Sequence, residues 1–436
     1  MFNEILKLAS ELQPKTVERR RDFHRHAEVA WTEFRTASIV AETLTSLGYK
    51  VQVGEEVIDA RAMMDVPPAE VLAKHVERAL AQGANPAWVE KMAGGLTGVV
   101  GTLEFAKPGP TVALRFDMDA NDALEATDEN HRPYRERFAS VNPGAMHACG
   151  HDGHTAVGLT VAEILARLAP NLAGKVKLIF QPAEEGVRGA KAMTMKGVVD
   201  DVEYLLGMHL GLPLKLGQLA CETIGFLATT KFDAEFTGVA AHAGAAPENG
   251  RNALLAAATA ALNLHAIPRH SQGASRINVG VMQAGTGRNV VPANALIKVE
   301  TRGVTSQINQ FIYDQAIRII KAAADMYGVE VKITEAGSAP SGSNTPELVK
   351  RLEEVAKRLG IFEEFVTGDL GGSEDCTYFM ERVQQRGGQA AYTIVGTETA
   401  AGHHNFRFDF NEEALFKAAA FLAAAAADLL TEKCGE

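Results

Sequence analysis

Apolar residues recur at three- and four-residue intervals over residues 3–13 and 15–27, the spacing of two amphipathic helices separated at Pro14. The pattern returns over 34–47 and stops at Gly48, with an extended run at 49–53. Between 55 and 95 two helical patterns, about 68–82 and 86–92, join through Gly83 and Pro86. This excursion reads equally as a lid edge, an interface arm or a plain insertion. From Gly98 the period changes: residues 99–105 and 111–116 are strand-like, with Lys107-Pro108-Gly109-Pro110 as a turn between them. An alanine-rich helix is predicted at 155–168. Short apolar runs at 176–180 and 204–208 read as buried strands.

Near residue 226 the organisation shifts. Residues 231–237 alternate, a helix follows at 251–266, strands at 276–283 and 294–301, a long helix at 306–327 and a strand at 329–334. Strand-helix-strand-strand-helix-strand is the order of a small α+β (ferredoxin-like) sandwich with its helices on one face. A Ser/Gly/Pro linker, 337–344, leads to a helix at 346–358, a loop at 368–374, a strand at 390–395 and a last helix at 411–430. The expected organisation is a first domain in two segments, 1–225 and 338–436, interrupted by an inserted lid or dimerisation domain at 226–337.

Composition narrows the picture. A chain of 436 residues exceeds what one core usually serves, and no apolar run is long enough for a membrane span. The first 26 residues lack the apolar stretch of a signal peptide. Cys149, Cys221, Cys376 and Cys434 are scattered without disulfide-like spacing, so a reducing cytoplasm is expected. The net charge of -11 disfavours nucleic acid as a partner and means that any anion site must be built locally.

The chemistry concentrates at Met146-His147-Ala148-Cys149-Gly150-His151-Asp152-Gly153-His154, which places three imidazoles, a thiol and a carboxyl on a predicted loop before a helix. Cys, His and carboxylate donors suit zinc and other first-row divalent ions. The strand at 111–116 runs into Asp117-Met118-Asp119, the next into Gln181-Pro182-Ala183-Glu184-Glu185-Gly186, and the third into His209. A single Asp at a strand end is commonly a turn or cap. Three successive strand ends bearing possible ligands fit the place where open α/β sheets hold theirs. Gly402-His403-His404-Asn405, after the strand at 390–395, offers one more.

These segments resemble the dinuclear-metal aminoacylase/carboxypeptidase family in its amidohydrolase branch. Two signatures of that branch stand verbatim at 146–154 and 181–186, and the likeness runs from Arg21-Asp22-Phe23-His24 to Phe408-Asp409. The excursion at 55–95 and Phe226-Leu227-Ala228-Thr229-Thr230-Lys231-Phe232-Asp233 narrow it toward members acting on p-aminobenzoyl-glutamate, a folate catabolite.

The resemblance implies a three-layer α/β/α metallo-exopeptidase-like catalytic domain with the inserted domain as lid. It implies two divalent ions, Mn2+ or Zn2+, held by Cys149 as a bridge and by His151, Glu185, His209 and His404, with His403 as the alternative to His404. Glu184 would be the general base and Asp117 a carboxylate orienting a ligand. His242 would reach a neighbouring subunit's active site to stabilise the oxyanion, and Asn289 and Arg302 would hold the substrate's carboxylate. The implied reaction releases p-aminobenzoate and glutamate. Deacylation of N-acyl or N-benzoyl amino acids is the alternative, and a non-catalytic partner subunit is a third reading. The expected partners are a small-molecule substrate and either a homologous companion subunit or a second copy, with neither nucleic acid nor membrane. One departure weakens the carry-over at Asp117: Ala120-Asn121-Asp122 follow Asp119 where many relatives have Ala-Leu-Pro.

Overall fold

The apolar runs expected as buried strands form the middle of one eight-stranded sheet in the computed structural model, which describes residues 1–431; Cys434 lies outside them. Four neighbours, Ala173–Gln181, Lys107–Asp117, Tyr204–Leu210 and Gln389–Val395, run parallel in that order. Both faces of these strands are covered along their middles, which is why each carries a continuous apolar run there instead of a strict alternation. Phe2–Arg25, Phe34–Ser46, His151–Leu168, Pro346–Leu359 and Glu413–Leu429 pack into one core, and Gly189–Met195 and Thr377–Gln385 into a second. The result is helix, sheet, helix. No helix among the described residues is long and apolar enough to cross a membrane.

Several boundaries differ from expectation, each for a local reason. Pro14 does not split the first helix, which runs unbroken over Phe2–Arg25. A proline removes one backbone hydrogen bond. Here Ile5, Ala9, Leu12, Thr16, Arg20 and Phe23 bury one continuous face on both sides of it, and tertiary packing overrides the local penalty. The Lys107–Pro110 run is not a hairpin turn but the start of Lys107–Asp117. Its two flanking strands do not pair; each lies against Ala173–Gln181, which comes between them. Gly109 permits this, since a Cβ there would meet Gly174 N at 2.8 Å.

The strand Gln218–Phe226 was not expected, and most of the expected loop at 368–374 belongs to the edge strand Glu364–Gly372. These two pair with each other in parallel at the end of the sheet. There burial is uneven and leaves no regular period to read.

The second sheet has four antiparallel strands in the order Ser275–Ala284, Asn294–Gly303, Ala228–Thr237, Glu330–Ala339. Helices Ala253–His265 and Ser306–Tyr327 pack on one face over Phe232, Ala234, Phe236 and Ile297. Strand alternation sends Lys231, Asp233, Lys298, Glu300 and Arg302 to the other face. Glu330–Ala339 runs further than expected and absorbs the start of the linker placed at 337–344. Gly337 explains the extension. A Cβ there would meet Gly186 O at 2.0 Å, and the next N–H, of Ser338, donates to Val187 O at 2.9 Å. The smaller sheet is thereby bound to the loop after Gln181.

The excursion at 55–95 packs as Ala69–Ala81 and Pro86–Val89 against Phe34–Ser46. Trp31 Nε1 donates to Met64 O at 2.9 Å, and Asp65 pairs with Arg188 at 3.0 Å, so the segment braces the wall beside the same loop.

Candidate metal centre

Four adjacent parallel strands deliver their carboxyl ends to one place. Asp117 ends one; Gln181 ends its neighbour and leads to Glu184 and Glu185; His209 is the penultimate residue of the third; and the connection after Val395 carries His404. The motif at 146–154 is less loop-like than expected, because the helix His151–Leu168 begins inside it. Gly150 makes the entry at φ 93°, where an L side chain would be strained. Gly153 serves a different purpose: its missing Cβ would sit 2.8 Å from Leu210 Cδ1, so the helix start lies directly against the strand bearing His209.

Two donor groups share one thiol. Cys149, His151 and His209 form one; Cys149, Glu185 and His404 the other; within each, the donor atoms lie within 4.8 Å of one another. Cys149 Sγ is 3.5 Å from His209 Nε2, and His404 Nε2 is 3.4 Å from Glu185 Oε1. His403 is turned away: its ring packs on His209 and Phe408, and its Nε2 lies 3.3 Å from Leu210 O. His404 has φ 64°, and its N–H donates to Ala148 O at 2.7 Å, which pins this strained turn to the Cys149 segment.

The tautomers follow from the backbone. His151 Nδ1 donates to Asp119 O at 2.9 Å and His209 Nδ1 to Leu210 O at 2.8 Å, so both Nε2 lone pairs face the cluster. His151 Nε2 is buried without a hydrogen-bond partner. His154 is differently committed: Leu210 N–H donates to its Nε2 at 3.0 Å, and its Nδ1 donates to Asp117 Oδ1 at 2.6 Å. His147, buried with both nitrogens unpartnered, stays outside the cluster, and burial pushes its pKa down to about 3.

Asp117 also accepts from Arg115 Nη1 at 2.6 Å and stands 3.8 Å from His151 Nε2. Burial opposes its charge, but His151, Arg115 and His154 outweigh it and hold the carboxyl well below its usual range. Asp119 receives the N–H groups of Glu184 and Glu185 at 2.9 and 2.8 Å and so aims both carboxylates. Glu33, on the first segment, accepts from Ala183 N–H at 2.8 Å and steadies that residue at φ 53°.

Glu184 Oε2 lies 3.9 Å from His151 Nε2 and groups with Glu374 and Asp375. Burial, with the charges of Glu374, Glu185 and Asp375 behind it, raises the Glu184 pKa well above normal. Arg115 binds Glu374 at 2.9 Å and Asp375 at 3.2 Å and is the buried guanidinium of this region. Carboxylates thus outnumber cations. That surplus, the orphaned His151 nitrogen and the mixed N, S and O donors fit divalent ions. Burial and the Glu185 charge push the Cys149 thiol up to about 12, so metal uptake there must expel a proton.

Sequence reading gave Asp119 no role of its own and missed Glu374, Asp375 and Arg115 as parts of the site. Asp119 stood in the strand-end motif beside Asp117. Glu374 and Asp375 follow Gly371-Gly372-Ser373, a paired-carboxylate signal of the same form as Glu184-Glu185. Arg115, inside a buried strand, had no local signal.

Among the residues expected to contact substrate, Arg302 lines a cavity of about 310 Å³ with Cys149, Glu184, Glu185, His209 and His404. Asn289 and His242 do not line it. Both are exposed together on the smaller domain, where Ala243 N–H donates to Asn289 O at 3.0 Å. His242 Nδ1 accepts from Gly244 and Ala245 N–H groups at 3.2 and 3.0 Å, which leaves Nε2–H facing outward.

Behind the motif, His24 is fully buried between Asp152 at 2.8 Å and Glu125 at 2.9 Å. Burial alone would lower its pKa, but the hydrogen bonds its ring donates to both carboxylates and the charge of Asp152 raise it from 6.5 to about 9. A raised folded-state pKa gives stability that is complete below about 6.5 and lost as pH climbs through about 9. Stability is therefore expected to fall between pH 7 and 9.5 by an amount of order 3 kcal/mol, since each tenfold change in proton affinity is worth roughly 1.4 kcal/mol. His24→Gln should be less stable at pH 6.5 and show a flatter profile over that range. Parallel thermal-melting curves for the two proteins would refute the assignment.

Comparison with known proteins places this geometry. The model of the family described as "Peptidase family M20/M25/M40" matches residues 113–428. An indole-3-acetyl-aspartic acid hydrolase from Enterobacter agglomerans is 53% identical over 97% of this chain and 97% of its own. The A subunit of p-aminobenzoyl-glutamate hydrolase from Escherichia coli (strain K12) is also 53% identical, over 96% of each chain. Among solved structures, the aminobenzoyl-glutamate utilization protein from Klebsiella pneumoniae superposes with a TM-score of 0.84 at 46% identity, covering 97% of both chains.

Proposed function

The chain belongs to peptidase family M20/M25/M40, and we propose that it is a metal-dependent amidohydrolase that cleaves p-aminobenzoyl-glutamate to p-aminobenzoate and glutamate. The observation that carries this reading is the pair of donor groups meeting at Cys149 with Glu184 beside them. It is supported by 53% identity to two hydrolases whose named substrates are aromatic acyl conjugates of glutamate and aspartate.

In this reading Cys149, His151, Glu185, His209 and His404 would hold two divalent ions, Mn2+ or Zn2+, and Cys149 belongs to both donor groups. Bound there, such ions supply an acidified water and polarisation of the amide carbonyl. Glu184 takes a proton from the attacking water and returns it to the leaving nitrogen, from a position 3.9 Å from His151 Nε2. Asp119 keeps Glu184 and Glu185 aimed, and Asp117 fixes His154 against the strand of His209. Arg302 receives the substrate's carboxylate from the roof of the cavity.

His242 and Asn289 serve the cavity of a neighbouring chain, donating through His242 Nε2–H to the developing oxyanion. The smaller sheet offers the means of pairing: its edge strand Ser275–Ala284 exposes Val281 and Met282, and its helix Ala253–His265 exposes Leu262 at 77%. That neighbour is a companion subunit of related fold or a second copy. The free, buried Cys149, Cys221 and Cys376 fit a reducing cytoplasm.

The test is a substrate panel on purified protein loaded with Mn2+ or Zn2+, alone and with a companion subunit. p-Aminobenzoyl-glutamate should be cleaved with higher kcat/KM than indole-3-acetyl-aspartate, N-benzoyl-glycine and N-acetyl-glutamate. A preference for any of the other three by a factor of ten would replace the proposed substrate with that one.

A further inference from the structure

The cavity roof carries a cation to which no role has been given. Lys231 sits on Ala228–Thr237, on the sheet face away from the helices, and lines the metal-centre cavity. It also lines a neighbouring cavity of about 340 Å³. The other cations of this face and its surroundings already have carboxylates. Arg302 is held by Glu300 at 2.9 and 3.0 Å, Lys298 by Asp233 at 3.1 Å, and Arg188 by Asp65 at 3.0 Å. Lys231 makes no hydrogen bond or ion pair with any described residue. Its half-buried ammonium shares the cavity with Glu184, Glu185 and Glu374 but is paired with none of them, which leaves it free to meet an anion that enters.

The sheet register sets the spacing. Arg302 lies opposite Thr229 and Glu300 opposite Lys231. Lys231 and Arg302 are thus diagonal neighbours on one face, roughly 7–8 Å apart at the backbone. Their flexible heads can converge on two anions joined by a short carbon chain. A monocarboxylate amino acid would occupy one of them; an amino dicarboxylate would occupy both.

Building on the proposed amidohydrolase activity, we infer that Lys231 is the specificity residue that receives the side-chain carboxylate of an acidic leaving amino acid, while Arg302 takes its α-carboxylate. The two groups read different parts of the same product. Arg302, in its planar fork with Glu300, is the fixed member. Lys231, on a longer unpaired stem, adapts to the position of the second carboxylate.

The experiment compares wild type, Lys231→Met and Lys231→Arg on p-aminobenzoyl-glutamate and its neutral isostere p-aminobenzoyl-glutamine. Metal content of each protein is checked by elemental analysis. Wild type should prefer the glutamate conjugate by roughly 10²-fold in kcat/KM, the scale of one desolvated charge pair. In Lys231→Met that ratio should collapse toward one, mainly through KM, and free glutamate should lose its advantage over glutamine as a competitive inhibitor. Lys231→Arg should keep most of the ratio. If Lys231→Met preserves the preference, or lowers both conjugates equally, Lys231 does not read the side chain, and the amidohydrolase assignment stands. If wild type cleaves both conjugates equally, the inference fails in the same way. If wild type cleaves neither, the proposed function fails first and takes this inference with it.

Discussion

Glu184→Gln is expected to bring turnover down by about 10³–10⁴-fold while leaving the metal content of the protein unchanged. The general-base contribution sets the scale, since a positioned proton carrier is typically worth about 10²–10⁴-fold. Glutamine keeps the shape of the side chain and can occupy the same place beside His151, but it cannot accept and return a proton. The backbone N–H of residue 184 would still donate to Asp119, so the neighbouring Glu185 stays aimed. Steady-state kinetics with elemental analysis on the same sample decides the matter. Turnover within a factor of ten of wild type would remove Glu184 from the base role. Loss of metal together with activity would show instead that its carboxylate is a ligand.

Cys149→Ala carries the second large effect. Cys149 is common to both donor groups, so one substitution takes a donor from each. The remaining atoms on each side are two: His151 and His209, or Glu185 and His404. Such pairs bind divalent ions weakly, and the loss should exceed the roughly 10–100-fold that removal of an outer-shell partner costs. The purified variant is expected to retain less than one ion per chain after dialysis and to show no measurable hydrolysis. Because burial already pushes the free thiol up to about 12, wild-type affinity should also weaken as pH falls, since the ion must displace that proton. A variant that holds two ions would overturn the shared-ligand arrangement, whatever its activity.

Much of the site was legible as local motif. Cys149, His151, Glu184, Glu185 and His209 stand at turns and strand ends with glycines beside them, and such positions are readable because strand ends and backbone bends leave compositional marks. The strand-helix-strand-strand-helix-strand order between 228 and 339 was readable for the same reason. Its helices and strands are amphipathic, and each period shows which face is buried. The strands at the sheet's end and the continuous first helix were less readable. At Gln218–Phe226 burial is irregular, and at Pro14 a strong local breaker is overruled by contacts far away in sequence. The preference for His404 over His403 came from the family likeness and had no local physical signal. The choice turns on which ring packs against Phe408 and which emerges from a strained turn beside Glu185.

By itself the sequence determined the kind of chemistry, since donor types, paired carboxylates and helix or strand periods are properties of neighbouring residues. The tertiary structure decided the rest. Parallel alignment of four strands gathers donors from 149, 185, 209 and 404, and attachment of the smaller sheet to the loop after Gln181 brings Lys231 beside them. Those outcomes depend on distances between segments remote in the chain, and only the burial of a shared core sets such distances.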